Sequence, residues 1–174
     1  MFRTEDVGPD HRDMERIRAL YVRSFPENER GPLEPLVTDP SGCARVAAFY
    51  EDAAFLGFAC LLIHSGLCHI IYFAIDDAHR GRGYGTLALR AMEEMAGCRV
   101  MVDVERERPD APNNEQRARR LRFYARNGYV PSEVGYTWRG ESYTVLVKGG
   151  NLTADAFGNF WENLVEINED FYQY

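Results

Sequence analysis

Lysine is almost missing from this chain: Lys148 stands alone among 174 residues. A nucleoside triphosphate loop needs G-x-x-x-x-G-K-[ST], and Lys148 lies in no such setting, so that class of phosphate site is excluded. Long apolar runs are missing too. The longest, Ala53 to Ile63, contains Gly57 and falls short of the roughly 20 residues that cross a bilayer, so no membrane span is expected. Met1 to Asp6 lack the basic and then apolar regions of a secretory leader, which makes cytoplasmic residence the expectation. Cysteine is sparse: Cys43, Cys60, Cys68 and Cys98 stand singly. With no C-x-x-C pair and no histidine cluster at zinc spacing, they are expected to be reduced, buried thiols, and no metal site is expected. Excess positive charge is also absent. The formal net charge of −7 argues against general nucleic-acid binding, which needs a basic face. Arg117, Arg119, Arg120, Arg122 and Arg126 do crowd one helix, but a solvated helix face explains them better than an RNA-binding strip.

What is present suffices for one hydrophobic core: 45% of residues are apolar and 13% aromatic, and the length favours a single domain over residues 1–174. Met14, Ile17, Leu20, Tyr21 and Phe25 recur at helical spacing, with Asp10 as a candidate cap and Pro26 as the stop. A short second helix is expected near Leu33 to Val37. Residues 43–50 and 53–63 read as a hairpin turning at Glu51-Asp52, and His69 to Ile75 as a strand buried on both faces. The next helix begins near Thr86 and ends at Gly97, followed by a strand from Arg99 to Val104. Strand, helix, strand in that order predicts a parallel pair with a right-handed crossover. A helix from about Asn114 to Asn127 follows, then a hairpin of Tyr136 to Trp138 and Tyr143 to Val147 about Gly140-Glu141. Phe157, Phe160, Trp161, Leu164, Ile167 and Phe171 mark an amphipathic C-terminal helix at about 153–172. Its apolar face suits either docking on the sheet or a homodimer contact.

The densest cue lies between the fourth strand and its helix: Ala78-His79-Arg80-Gly81-Arg82-Gly83-Tyr84-Gly85-Thr86. Glycines let the backbone turn with its N–H groups inward, the helix start adds a positive dipole end, and Arg80 and Arg82 add full charges. That is a seat for phosphate. A dinucleotide fingerprint needs G-x-G-x-x-G, whereas Gly81-x-Gly83-x-Gly85 is one residue short at the last interval.

Arg80-x-x-Gly83-x-Gly85 after Tyr72-Phe73-Ala74-Ile75-Asp76 instead resembles the pyrophosphate-binding signature of the GNAT superfamily of N-acetyltransferases. A second segment, Leu121-Arg122-Phe123-Tyr124-Ala125-Arg126-Asn127-Gly128-Tyr129, is similar to the GNAT helix ending F-Y-x-x-x-G-[FY]. The order of elements also fits that superfamily over most of the chain, and the specific motifs cover roughly residues 72–130. The resemblance implies an α/β fold with a mixed sheet whose central parallel strand pair splays apart to admit acetyl-CoA as cosubstrate. It assigns the pyrophosphate cradle to Arg80, Gly81, Arg82, Gly83, Tyr84, Gly85 and Thr86, and pairing with the pantetheine arm to the backbone of Phe73, Ala74 and Ile75. Tyr124 becomes the acid that protonates the departing thiolate. The sequence departs from the family pattern in two respects. Arg117 and Arg120 stand where many members carry Asn-x-x-Ala, leaving Asn113 or Asn114 at the helix start for that cofactor contact, with Asn114 preferred. Ile71 stands where a glutamate base is frequent.

A base must therefore come from elsewhere. Met101, Asp103 and Glu105 share one face of the fifth strand by two-residue alternation. Glu105 is the first choice because it lies nearer the strand's C-terminal end, where ligands gather in such sheets. His69 and Tyr72 are minor candidates for a proton relay. Glu27 and Glu29 occupy the connection that shapes the family's acceptor pocket, where a carboxylate suits a cationic amine. The expected function is acetyl transfer from acetyl-CoA to a primary amine of a small molecule or a protein by direct attack. The alternative is a non-catalytic sensor that binds acyl-CoA. No nucleic-acid partner and no membrane are expected.

Overall fold

Residues 1–174 are all described by the computed structural model, and their apolar periodicities resolve into seven strands and five α-helices. In chain order these are β1 (Phe2–Asp6), α1 (Met14–Ser24), α2 (Glu34–Val37), β2 (Ala44–Glu51), β3 (Ala54–His64) and β4 (Leu67–Ile75). There follow α3 (Tyr84–Ala96), β5 (Arg99–Glu105), α4 (Asn114–Arg126), β6 (Val130–Trp138), β7 (Glu141–Lys148) and α5 (Ala154–Ile167). The strands form one mixed sheet in the order β1-β2-β3-β4-β5-β7-β6. Every pairing is antiparallel except β4 with β5, which the α3 crossover makes parallel.

The sheet buries both faces. Val100, Val102 and Val104 of β5 point to one cluster with Ala88, Leu89 and Met92 of α3 and Tyr124 of α4. Met101 points to the other, shared with Ile17 and Leu20 of α1 and Phe160 and Leu164 of α5. The single lysine ties the first layer to the sheet: Lys148 Nζ lies 2.7 Å from Glu93 Oε2, while Tyr129 donates to the other oxygen at 3.1 Å. Gly57 of β3 is there for contact reasons, since a Cβ would stand 2.1 Å from the Ala74 carbonyl oxygen of β4. All four cysteines are free; Cys43, Cys60 and Cys68 are buried and Cys98 is partly exposed. No helix is long and apolar enough to cross a membrane.

Some boundaries differ from the sequence reading. β1 was not expected, because only Phe2 in it is large and apolar; it is held by pairing along β2 and by stacking of Phe2 on Phe49. The first helix is preceded by Asp13 rather than capped by Asp10. Asp13 makes no capping bond, its carboxylate accepting instead from Tyr50 at 2.8 Å and Arg16 at 3.2 Å. Helix α3 starts at Tyr84, two residues early, because Gly83 at φ +83° already makes the turn. β6 extends back to Val130; Pro131 is tolerated there because the strand is at the sheet edge. The last helix stops at Ile167. Asn168 leaves helical geometry and its side chain accepts from Asp170 N, starting a 3-10 turn over Glu169–Gln173.

Candidate active site

A wedge opens where two parallel strands stop pairing. β4 and β5 are in register only from Leu67↔Arg99 to Ile70↔Val102. Beyond that point β4 keeps its partner β3 and β5 keeps β7, so the inner edges of Ile71–Ile75 and Asp103–Glu105 face an opening. A bulge starts the divergence, since the β3 register skips Ile71 between Ile70 and Tyr72. The opening has a volume of about 630 Å³, and Phe73, Ala74 and Ile75 line it as expected.

The glycine turn forms one rim. Arg80, Gly81, Gly83, Gly85 and Thr86 line the wedge; Arg82 is exposed outside it, and Tyr84 packs edge-on against His79. Gly81 (φ +75°) and Gly83 (φ +83°) occupy the left-handed region, where a side chain is strained. The consequence is a row of amides with nothing to bind. From Gly81 through Gly85 no N–H donates to any group of the chain, and the first N–H groups satisfied after them are those of Thr86 and Leu87, both on Gly83 O. Unpaired amides at a helix start suit a diphosphate; Arg80 beside them is at present paired with Asp77 at 2.6 Å and donates to Ile75 O at 3.2 Å. Arg119 and Arg126 of α4 line the same wedge and add positive charge.

Tyr124 reaches the wedge from α4. The residue is buried, and burial pushes its phenol up to about 12, so the proton stays on at neutral pH. Its hydroxyl has no hydrogen-bond partner within the chain, yet it is not among the sealed polar atoms. A held, available proton beside the opening is what a general acid needs.

Glu105 and Asn114, expected at the site, are engaged elsewhere. Glu105 is nearly enclosed and does not line the wedge; Arg120 Nη1 lies 3.3 Å and Arg117 Nε 3.7 Å from its Oε2. Arg117 is itself a structural tie: its fork bonds both oxygens of Glu141 at 2.9 Å, and it also donates to Arg106 O and Asn113 Oδ1. That inward-pointing arginine breaks the supposed basic strip of α4. Asn114 Oδ1 accepts from Arg108 N at 2.6 Å, closing the loop before α4 rather than reaching the wedge. Asp103 does line the wedge, and Tyr136 donates to its Oδ2 at 2.5 Å.

Next to Ser24 and Phe25, which line the wedge, the connection at 26–32 is clamped. Gly31 N donates to Tyr72 Oη at 2.8 Å, Tyr72 donates to Glu29 O, and Tyr21 donates to Gly31 O at 2.6 Å. Tyr174 donates to Pro32 O, and Arg139 donates to Asn28 O, Arg30 O and Gln173 O. Tyr72, a minor candidate for proton relay, is thus spent on this anchor. Glu27 is exposed, whereas Glu29 turns inward. Burial first, and the neighbouring Glu105 second, push the Glu29 carboxyl up to about 7. Arg139, Tyr136 and Tyr143 have no signal in the sequence, because only the β5-β7-β6 order brings them beside the wedge.

The sequence matches the model of the Acetyltransferase (GNAT) family over residues 14–129, two thirds of the chain. The chain belongs to the GNAT family of acetyltransferases. Its fold is shared by solved GNAT structures. One, a GNAT-family protein from Bacteroides thetaiotaomicron, superposes with a TM-score of 0.76 over 97% of this chain and 98% of its own, at 24% identity. An aminoglycoside 6'-N-acetyltransferase in complex with coenzyme A gives 0.65 over 84% and 96%, at 12% identity. A GNAT acetyltransferase from Elizabethkingia anophelis with acetyl-CoA bound gives 0.58 over 86% and 98%, at 9% identity. No curated protein matches the sequence. In this GNAT chain the mixed sheet, the β4-β5 parallel pair and the wedge between them are the family's acyl-CoA N-acyltransferase architecture.

Proposed function

We propose that this protein transfers the acetyl group of acetyl-CoA to a primary amine by direct attack. The observation that carries the reading is the row of unpartnered amides from Gly81 to Gly85 at the mouth of the β4-β5 wedge. In this reading those amides, with Arg80, hold the diphosphate, and the inner edge of Phe73–Ile75, unpaired with β5 and met only by Arg80 at Ile75 O, pairs with the amide-bearing arm. Acetyl-CoA supplies an activated acyl group with a thiolate leaving group. The chain supplies orientation, which accounts for much of the rate in such a reaction. Tyr124 gives its proton to the departing sulfur. The acceptor enters from the side of Phe25 and Ile71, a small molecule or a protein amino group whose positive charge suits the protein's net charge of −7.

Binding and turnover are tested separately. Calorimetry with acetyl-CoA is expected to give one site per chain, and release of free thiol with a panel of primary amines is expected to follow. No heat with acetyl-CoA overturns the cradle. Heat without thiol release on any amine overturns the transferase reading and leaves an acyl-CoA-binding protein.

A further inference from the structure

We infer that Asp103 takes the proton from the attacking ammonium, with Tyr136 and His69 as positioning residues for its carboxylate; this rests on the acetyl-transfer reading above. Asp103 is the one carboxylate among the side chains lining the wedge, and the only other titratable base there, His79, belongs to the glycine rim. It sits on β5 one residue past the last β4 pairing, where the two strands part. On the other side of the opening stands Tyr124, near enough that the Asp103 charge acts on its phenol. An acid and a carboxylate therefore flank the same space from opposite faces of the sheet.

The surroundings of Asp103 are costly for folding alone. His69 of β4 is 1% exposed, caged by the rings of Phe157, Phe160 and Trp161 of α5. Its Nε2 stands 2.9 Å from Asp103 Oδ2 but out of hydrogen-bond alignment, and neither ring nitrogen has another partner. Asp103 Oδ1 is likewise sealed and unpartnered, while Oδ2 accepts from Tyr136. Unpaired buried polar groups of this kind destabilise the fold, because their desolvation is not offset by a partner. Tyr136 is kept protonated by burial and by the Asp103 charge, so it remains a donor to the carboxylate.

In the step itself the ammonium passes one proton to Asp103 at Oδ2, since Oδ1 is sealed; its lone pair forms the C–N bond, and the C–S bond breaks. The sulfur takes the Tyr124 proton, and the second amine proton restores Tyr124. Asp103 returns its own proton to solvent. The titratable groups facing this spot are His69 from β4, Tyr136 from β6 and Tyr124 from α4; beyond them lie Glu29, Glu105, Tyr143 and Arg120.

The test uses two probe amines at pH 7, butylamine, which is protonated, and methoxyamine, which is already neutral. Asp103→Asn is expected to lower kcat/KM about 100-fold on butylamine and less than about tenfold on methoxyamine, the typical scale of a lost general base. Tyr136→Phe and His69→Gln are each expected to lower kcat on butylamine more than on methoxyamine with the KM for acetyl-CoA unchanged, a split that loss of packing alone does not cause. Equal losses of Asp103→Asn on both amines, or wild-type rates on butylamine, overturn the assignment. Should the unmutated protein bind acetyl-CoA yet release no thiol with any amine, the acetyl-transfer reading falls, and this inference with it.

Discussion

The two sides of the wedge are built on opposite plans. On the glycine side, residues 81–85 leave their amides unpaired and the backbone turns through two left-handed glycines. Next to the wedge-lining Ser24 and Phe25, the 26–32 connection is pinned by donors from Tyr21, Tyr72, Arg139 and Tyr174, drawn from one helix, one strand, one turn and the last residue. One side holds donors ready for an anion; the other spends its polar groups on its own shape. The contrast teaches that the proposed cofactor seat depends on local backbone geometry, whereas the connection proposed to flank the acceptor depends on parts far apart in the chain.

Breaking the glycine side has the largest expected effect. Gly83→Val puts a β-branched residue at φ +83°, although a Cβ there meets no protein atom, so the damage comes from backbone strain and from occupying the ligand's space rather than from a clash. Acetyl-CoA affinity, read by calorimetry, is expected to fall by about 100-fold or more, roughly 3 kcal/mol. Next is Tyr124→Phe. Because that hydroxyl bonds nothing in the chain, the melting temperature and acetyl-CoA affinity should hold while kcat falls by roughly 10- to 100-fold.

Loosening the pinned side should do less. Arg139→Ala removes donors to three carbonyls from an exposed side chain, costing about 1 kcal/mol of stability in a denaturant titration. It should raise the KM for the amine while sparing acetyl-CoA affinity, and an equal loss of both would erase the distinction between the two sides. The smallest effect concerns Glu29. Folding raises its carboxyl from 4.5 to about 7, so the folded chain holds a proton that the unfolded chain releases. This contribution is fully present below pH 4.5 and is lost as pH rises to about 7. Glu29→Gln should flatten the pH dependence of the melting temperature across that interval; an unchanged slope would mean that Glu29 is not held buried beside Glu105.

The glycine turn, the βαβ unit and Tyr124 were legible because each rests on spacing within a short stretch: positive-φ glycines, a buried strand, an i, i+3, i+4 stripe. Alternation also correctly put Asp103 and Glu105 on one face of β5. It could not rank them. Glu105, chosen for its place at the strand end, is held by Arg117 and Arg120 of α4, while Asp103 lines the opening. Nor did the short polar strand β1 carry a pattern to read, since pairing with β2 rather than its own side chains makes it a strand.

By itself, then, the sequence determined the order of the elements after β1 and the glycine turn, because backbone preference and periodicity act over a few residues and need no knowledge of the rest. Tertiary structure alone decided which carboxylate faces the wedge, that Arg117 is buried, and that Tyr136, Arg139 and Tyr174 stand near residues 28–32 and 103. Those facts follow from the strand order β5-β7-β6 and from how the last helix docks, where partners lie dozens of residues apart and only packing selects them.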